Sequence, residues 1–171
     1  ECFNRAWRFN PENPMAYWGA GIVRGNEAVC YLDESLTNMA KNCWDEGVYL
    51  FETGERYLLA VSPVTKCEYH MDQAQSYMNY AATMKSTLED RGLDILLKKA
   101  EALLLQYADC MLFQEEENRR VRVRVAYQLS QVYNMSGQSE KFEKYNGIFL
   151  QLSTPQEKLM FESNEDGKWA K

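Results

Sequence analysis

The chain has 171 residues, a formal charge of -6 at pH 7, 46% hydrophobic residues and 26% charged residues. That length suits one domain with a sizeable core, and the composition excludes general disorder. The acidic balance disfavours a nucleic-acid partner, which needs a field of lysine and arginine, and no apolar run reaches the roughly 18 residues that would cross a bilayer.

Taken in order, residues 1 to 9 read as a helix with Phe3 and Ala6 on one face, stopped by Asn10-Pro11. Pro14 stands where a first-turn proline starts the next helix, expected over 14 to 24, and Gly19, Ala20 and Gly21 would let a neighbour approach closely. Gly25-Asn26 is expected to turn the chain, and Glu27 to Asn42 to resume as a helix. Trp44, Val48, Phe51, Leu58 and Val61 form a helical stripe through Gly47 and Gly54, ended by Ser62-Pro63. Met71, Ala74, Tyr77, Met78, Ala81, Met84 and Leu88 mark another amphipathic helix. Asp72 and Gln75 resemble its capping box and Arg91-Gly92 its close.

Leu93 to Met111 follows helical spacing closely and is apolar enough to be covered on two sides. Glu115 to Arg119 and Glu116 to Arg120 are i, i+4 pairs that support a following helix. The alternation Val121, Val123, Val125 also suits a strand, but no partner strand is evident, so a helix is expected. A second helix should run from Ser139 to Leu152, burying Phe142, Tyr145 and Phe149. Thr154-Pro155 should start a last short helix reaching Phe161, and the residues from 162 form a polar tail.

Little here points to chemistry. His70 is the only histidine, and Cys67-Glu68-Tyr69-His70 is half of a zinc motif with no matching second half among the five cysteines. No phosphate-cradling glycine loop and no nucleophile elbow occurs. The sequence therefore predicts no catalytic residue, no metal site and no cofactor. Aromatics are plentiful, with eleven tyrosines and four tryptophans, and can fill helix interfaces or line a peptide groove. The arginines 119 to 124 either grip an acidic peptide or a lipid headgroup, or answer neighbouring carboxylates.

Phe3, Ala6 and Pro11, followed by Tyr17, Ala20 and Gly21, resemble the tetratricopeptide repeat, in which a helix pair recurs about every 34 residues. So do Ala28, Leu32 and Ser35, and, late in the chain, Leu129-Ser130, Tyr133 and Gly137. The pattern departs from the family in a short helix before Gly25 and in the lack of a closing proline near Asn42. The resemblance implies an all-α fold of antiparallel helix pairs stacked as a short TPR-like solenoid. It would form one domain over 1–161, with its first repeat truncated and a tail over 162–171. It also implies a groove lined by the first helix of each pair. Arg124, Tyr127, Gln131 and Asn134 would face it, opposite a buried set of Ala126, Leu129, Ser130 and Tyr133. In the first repeat Met15, Trp18 and Ile22 would face it, or else be covered by a missing N-terminal helix or by the middle helices.

The implied function is a non-enzymatic scaffold or adaptor binding another protein, through a peptide or helix. The alternatives are a permanent structural subunit of a larger complex and an enzyme with a site around Cys67 and His70. The opening run to Gly19 is also similar to bacterial exported repeat lipoproteins. That likeness implies a leader removed upstream and a periplasmic, lipid-anchored protein; the odd cysteine count fits a reducing compartment such as the cytoplasm.

Overall fold

The structure, a computed structural model, describes Ala6 and residues 9 to 162. The helix expected over residues 1 to 9 and the polar tail thus lie largely outside the described residues. Seven α-helices and one 3-10 turn form among the described residues, with no strand: α1 (Pro14–Asp33), α2 (Thr37–Glu55), the 3-10 turn (Leu58–Ala60), α3 (Pro63–Thr83), α4 (Asp90–Leu105), α5 (Glu115–Met135), α6 (Ser139–Leu152) and α7 (Pro155–Glu162). The all-α expectation holds. The chain divides into two compact units, one within Glu1–Thr87 and one within Leu88–Lys171.

In the first unit, α1 opens as its sequence dictates: Pro14 occupies the first turn, and the Asn13 side chain accepts from the Met15 N–H at 3.0 Å. The turn expected at Gly25-Asn26 does not occur. A mid-helix glycine costs about 1 kcal/mol against alanine, but here its missing side chain admits a partner. A Cβ on Gly21 would lie 2.7 Å from the Phe51 ring, and one on Gly25 would lie 3.1 Å from the Trp44 ring. On the facing helix, a Cβ on Gly47 would meet the Gly21 carbonyl oxygen at 3.3 Å. Close approach between α1 and α2 thus carries α1 through both glycines to Asp33.

The reversal falls instead at Ser35, the one non-glycine described residue with positive φ, at 62°. The Leu36 N–H donates to the Tyr31 carbonyl at 2.7 Å and the Ser35 N–H to the Leu32 carbonyl at 2.9 Å, a Schellman closure. The second unit uses the same device. Gly137 has φ 70°, the Gln138 N–H donates to the Tyr133 carbonyl at 2.9 Å, and the Gly137 N–H donates to the Asn134 carbonyl at 3.2 Å. Glycine takes that backbone conformation without the steric penalty that serine carries.

α3 begins at Pro63 with Ser62 as its cap, so the expected linker to residue 71 is helix, and Asp72 and Gln75 lie in its interior rather than in a capping box. It stops at Thr83. Arg91-Gly92 opens α4 instead of closing a helix, because Asp90 supplies first-turn negative charge there. A stripe of polar tips on α3 fastens it to α2. Tyr69 Oη donates to the Phe51 carbonyl at 2.6 Å, Tyr77 Oη to Glu52 at 3.1 Å and Tyr80 Oη to Asp45 at 2.6 Å. Burial raises all three phenols above their ordinary range, which keeps them donors.

In the second unit, α4 ends at Leu105, short of the expected Met111, and Met111 and Leu112 are 78% and 76% exposed. Val121, Val123 and Val125 are helical within α5. α6 has the expected bounds, with Phe149 buried and Phe142 and Tyr145 half-buried. α7 starts at a reciprocal capping box, in which the Glu157 N–H donates to Thr154 Oγ1 at 3.2 Å and the Thr154 N–H to Glu157 Oε2 at 2.8 Å. Its Phe161 packs with Val123, Ala126 and Phe149 in the core of this unit.

The glycine seam predicts opposite responses to one substitution. A Cβ on Gly54 would run into the Tyr69 hydroxyl and Tyr17 Cβ, whereas nothing lies within 4 Å of one on Gly147. Urea unfolding followed by circular dichroism should show Gly54→Ala destabilised by about 1 to 3 kcal/mol. Gly147→Ala should be stabilised by about 0.5 to 1 kcal/mol.

Candidate functional site

The residues expected to face a groove lie in the two different units. On α1, Met15, Trp18 and Ile22 share one helical face. Met15 and Ile22 are 37% and 38% exposed, while Trp18 is half-buried against the core of Phe51, Leu58 and Tyr69. The Trp18 indole N–H donates to Asp72 Oδ2 of α3 at 3.0 Å, and its ring tilts over Tyr69 at 5.7 Å between centroids. The indole is therefore held in one orientation between two exposed apolar neighbours.

On α5, Ala126, Leu129, Ser130 and Tyr133 are buried. Of the residues expected opposite them, Asn134 is exposed and Arg124 and Gln131 are half-buried. Tyr127 is spent inside its own unit. Its ring lies 4.7 Å from that of Phe161 and 5.2 Å from that of Phe149, and its hydroxyl donates to the Phe161 carbonyl at 3.1 Å.

Cys67 and His70 lie one helical turn apart in the buried part of α3. Cys30, Cys43 and Cys110 carry free thiols. Among the described residues, no group of three or more histidine, cysteine, aspartate and glutamate side chains is placed to hold a metal ion. His70 Nε2 stands 3.8 Å from Glu55 Oε1, beside a chain of bonds in which Gln73 Nε2 donates to Glu55 at 3.2 Å and to Tyr77 Oη at 3.1 Å. Burial lowers the His70 pKa below its ordinary value, outweighing the opposite pull of Glu55, and Lys66 adds to the lowering.

The arginine run divides sharply by partner. Arg119 donates to both oxygens of Glu116 and both of Glu157 at 2.9 to 3.0 Å, as well as to the Leu152 carbonyl at 3.0 Å. It bonds Glu116 and Glu157 in place of the expected Glu115, and the pairing holds the Glu157 carboxyl down at about 2. Arg120 donates to Glu116 at 3.1 Å, as the i, i+4 spacing predicts. Arg122 has no such partner among the described residues. Its Nε is buried without an acceptor. The side chain lines a cleft of about 60 Å³ together with Ala108, Asp109, Val125, Ala126, Lys144, Tyr145 and Ile148, all within the second unit.

Lys144 also lacks a carboxylate among the described residues and sits 5.1 Å above the Tyr145 ring. The sequence signal for this cleft was the arginine run itself. It marked the cations without separating Arg119 and Arg120, which α5 and α7 neutralise, from Arg122. The chain matches no protein-family model, no curated protein and no solved structure.

His70 gives the protein a pH dependence whose sign follows from its lowered pKa. As pH falls through about 6.5, the unfolded chain takes up the proton before the folded one does, so stability present above that value is lost. The urea midpoint should drop between pH 7.5 and 5.5, and His70→Gln should flatten that slope. An equal slope in the variant would mean that another group carries the titration.

Proposed function

We propose that this chain is a non-enzymatic interaction scaffold that holds a partner protein's peptide or helix against the α1 face of Met15, Trp18 and Ile22. The observation that carries this reading is the fixed indole between two partly exposed apolar side chains. Binding there orders little that is not already ordered, so less of the contact energy is lost to entropy. Tryptophan and methionine are also enriched where proteins meet, and a preset tryptophan is a typical anchor.

A tetratricopeptide-like origin is part of the same proposal. The two left-handed turns, at 35 and 137, stand 102 residues apart, which is three periods of about 34 residues. The likeness is in the turns. The pair α1 and α2 is longer than one such period, so its helices extend beyond those of the repeat. Within the second unit by itself, Gln131 and Asn134 would offer amide groups to a polypeptide, while Tyr127 supports the core behind them.

The second reading, a permanent subunit of a larger complex, draws on exposed apolar side chains elsewhere, above all Leu59, Met111, Leu112 and Leu159.

A Met15→Glu, Ile22→Glu double variant tests the scaffold reading without touching the core. Its circular dichroism and urea midpoint should match the wild type. A photo-crosslinking residue at position 15 or 22 in source cells should give an adduct with a distinct polypeptide, and the double variant should lose co-purification of that polypeptide. Retention of the same partner by the variant would overturn the α1 assignment. Adducts formed only from positions 112 and 159 would move the function to the subunit reading.

A further inference from the structure

We propose that the cleft between α5 and α6 is a binding site for a carboxylate carried on a short aliphatic stem. The proposal goes beyond the scaffold reading and does not depend on the α1 face. It starts from charge. Arg24, Lys41, Lys98, Arg119, Arg120 and Lys141 each sit within 3.2 Å of a carboxylate oxygen. Arg122 and Lys144 have none among the described residues, as is also true of Arg56, Lys66, Lys85, Arg91 and Lys158, but these two line one cleft, with Asp109 as its single carboxylate. Two cations against one carboxylate leave the lining with a net positive charge at neutral pH.

A second, independent observation concerns desolvation. Arg122 Nε is buried with no acceptor, as Arg124 Nε is, and of the two only Arg122 lines the cleft, so its guanidinium stands there already partly desolvated. A carboxylate accepts from a guanidinium through two parallel bonds, which suits a planar fork better than a point charge. Lys144, exposed at its tip and resting over Tyr145, can add the non-directional attraction of an ammonium group.

The rest of the lining speaks to the stem. Ala108, Val125, Ala126 and Ile148 are apolar, so a bare inorganic anion would leave the smaller, apolar part of the wall without a complement, whereas a short run of methylenes would cover it. A volume of about 60 Å³ holds a carboxyl group with a short stem and nothing as large as a nucleotide. The carboxylate can come from a free short-chain acid or from an acidic side chain of a polypeptide. The two share this chemistry, and the test separates them.

The experiment is an amide-resolved NMR titration of the full chain with glutarate, inorganic phosphate, and a terminally blocked peptide carrying a single glutamate or a glutamine in its place. Glutarate should shift the amides of Val125, Ala126, Tyr145 and Ile148, saturably and at millimolar concentration. Arg122→Gln should weaken binding at least tenfold. Lys144→Gln, at an exposed position, should weaken it several-fold with the fold unchanged. Asp109→Asn should tighten it several-fold, by removing the opposing charge. Binding of the glutamate peptide but not the glutamine peptide places the natural carboxylate on a polypeptide, and binding of glutarate alone places it on a free acid. Phosphate bound as tightly as glutarate, or shifts unchanged in the Lys144 and Asp109 variants, would overturn the proposal.

Discussion

The backbone-to-backbone approach of α1 and α2 is the constraint on which the first unit depends. A Cβ at 47 would lie 3.3 Å from the Gly21 carbonyl oxygen, so a larger residue there would require the facing backbone to give by a few tenths of an ångström. With that separation set, Phe51 lies over Gly21 and Trp44 over Gly25, so each aromatic ring fills the space a missing side chain leaves. Rings packed close against a helix backbone make many dispersion contacts and offer few alternative positions. The glycines lose helix propensity and gain a unique register. The same geometry aims Trp18 at α3, where its indole finds Asp72.

The second helix pair reaches the same type of turn by a different route. α5 and α6 close around Val123, Ala126 and Phe149, and α7 folds back to add Phe161. A helix of eight residues is too short to stand alone in water. It is held by the capping box at Thr154, by Phe161 in the core, and by Arg119, which reaches Glu157 and the last turn of α6 together. That placement consumes Arg119 and Tyr127 as structural residues. It leaves Arg122, one turn along α5, without a carboxylate among the described residues.

Several tyrosines inside the two units share one arrangement. Long tyrosines carry a hydroxyl across an apolar layer to a carboxylate or carbonyl on the next helix, as Tyr69, Tyr77, Tyr80 and Tyr133 do. Such a residue buries a large ring and satisfies its polar tip in one step, which accounts for the abundance of tyrosine. Aromatic richness by itself therefore marks helix interfaces here before it marks a binding groove. The groove residue Tyr127 belongs to that pattern.

Much of the fold was legible in the sequence because helix ends are local chemistry. Pro14 in the first turn, the helix start at Thr154-Pro155, the bounds of α6 and the helical state of Val121 to Val125 all follow from spacings of a few residues. The buried set on α5, expected from the repeat resemblance, is buried as well. Other features needed the tertiary structure because their cause lies far along the chain. Gly25 reads as a turn until Trp44 is placed against it, and Ser35, with no glycine to announce it, takes the left-handed position instead. Asp72 reads as a cap until Trp18 reaches it. The arginine run shows its charge and the Glu116 to Arg120 pair in sequence, but only the fold brings Glu157 onto Arg119, because that pairing depends on a distance that sequence separation does not set.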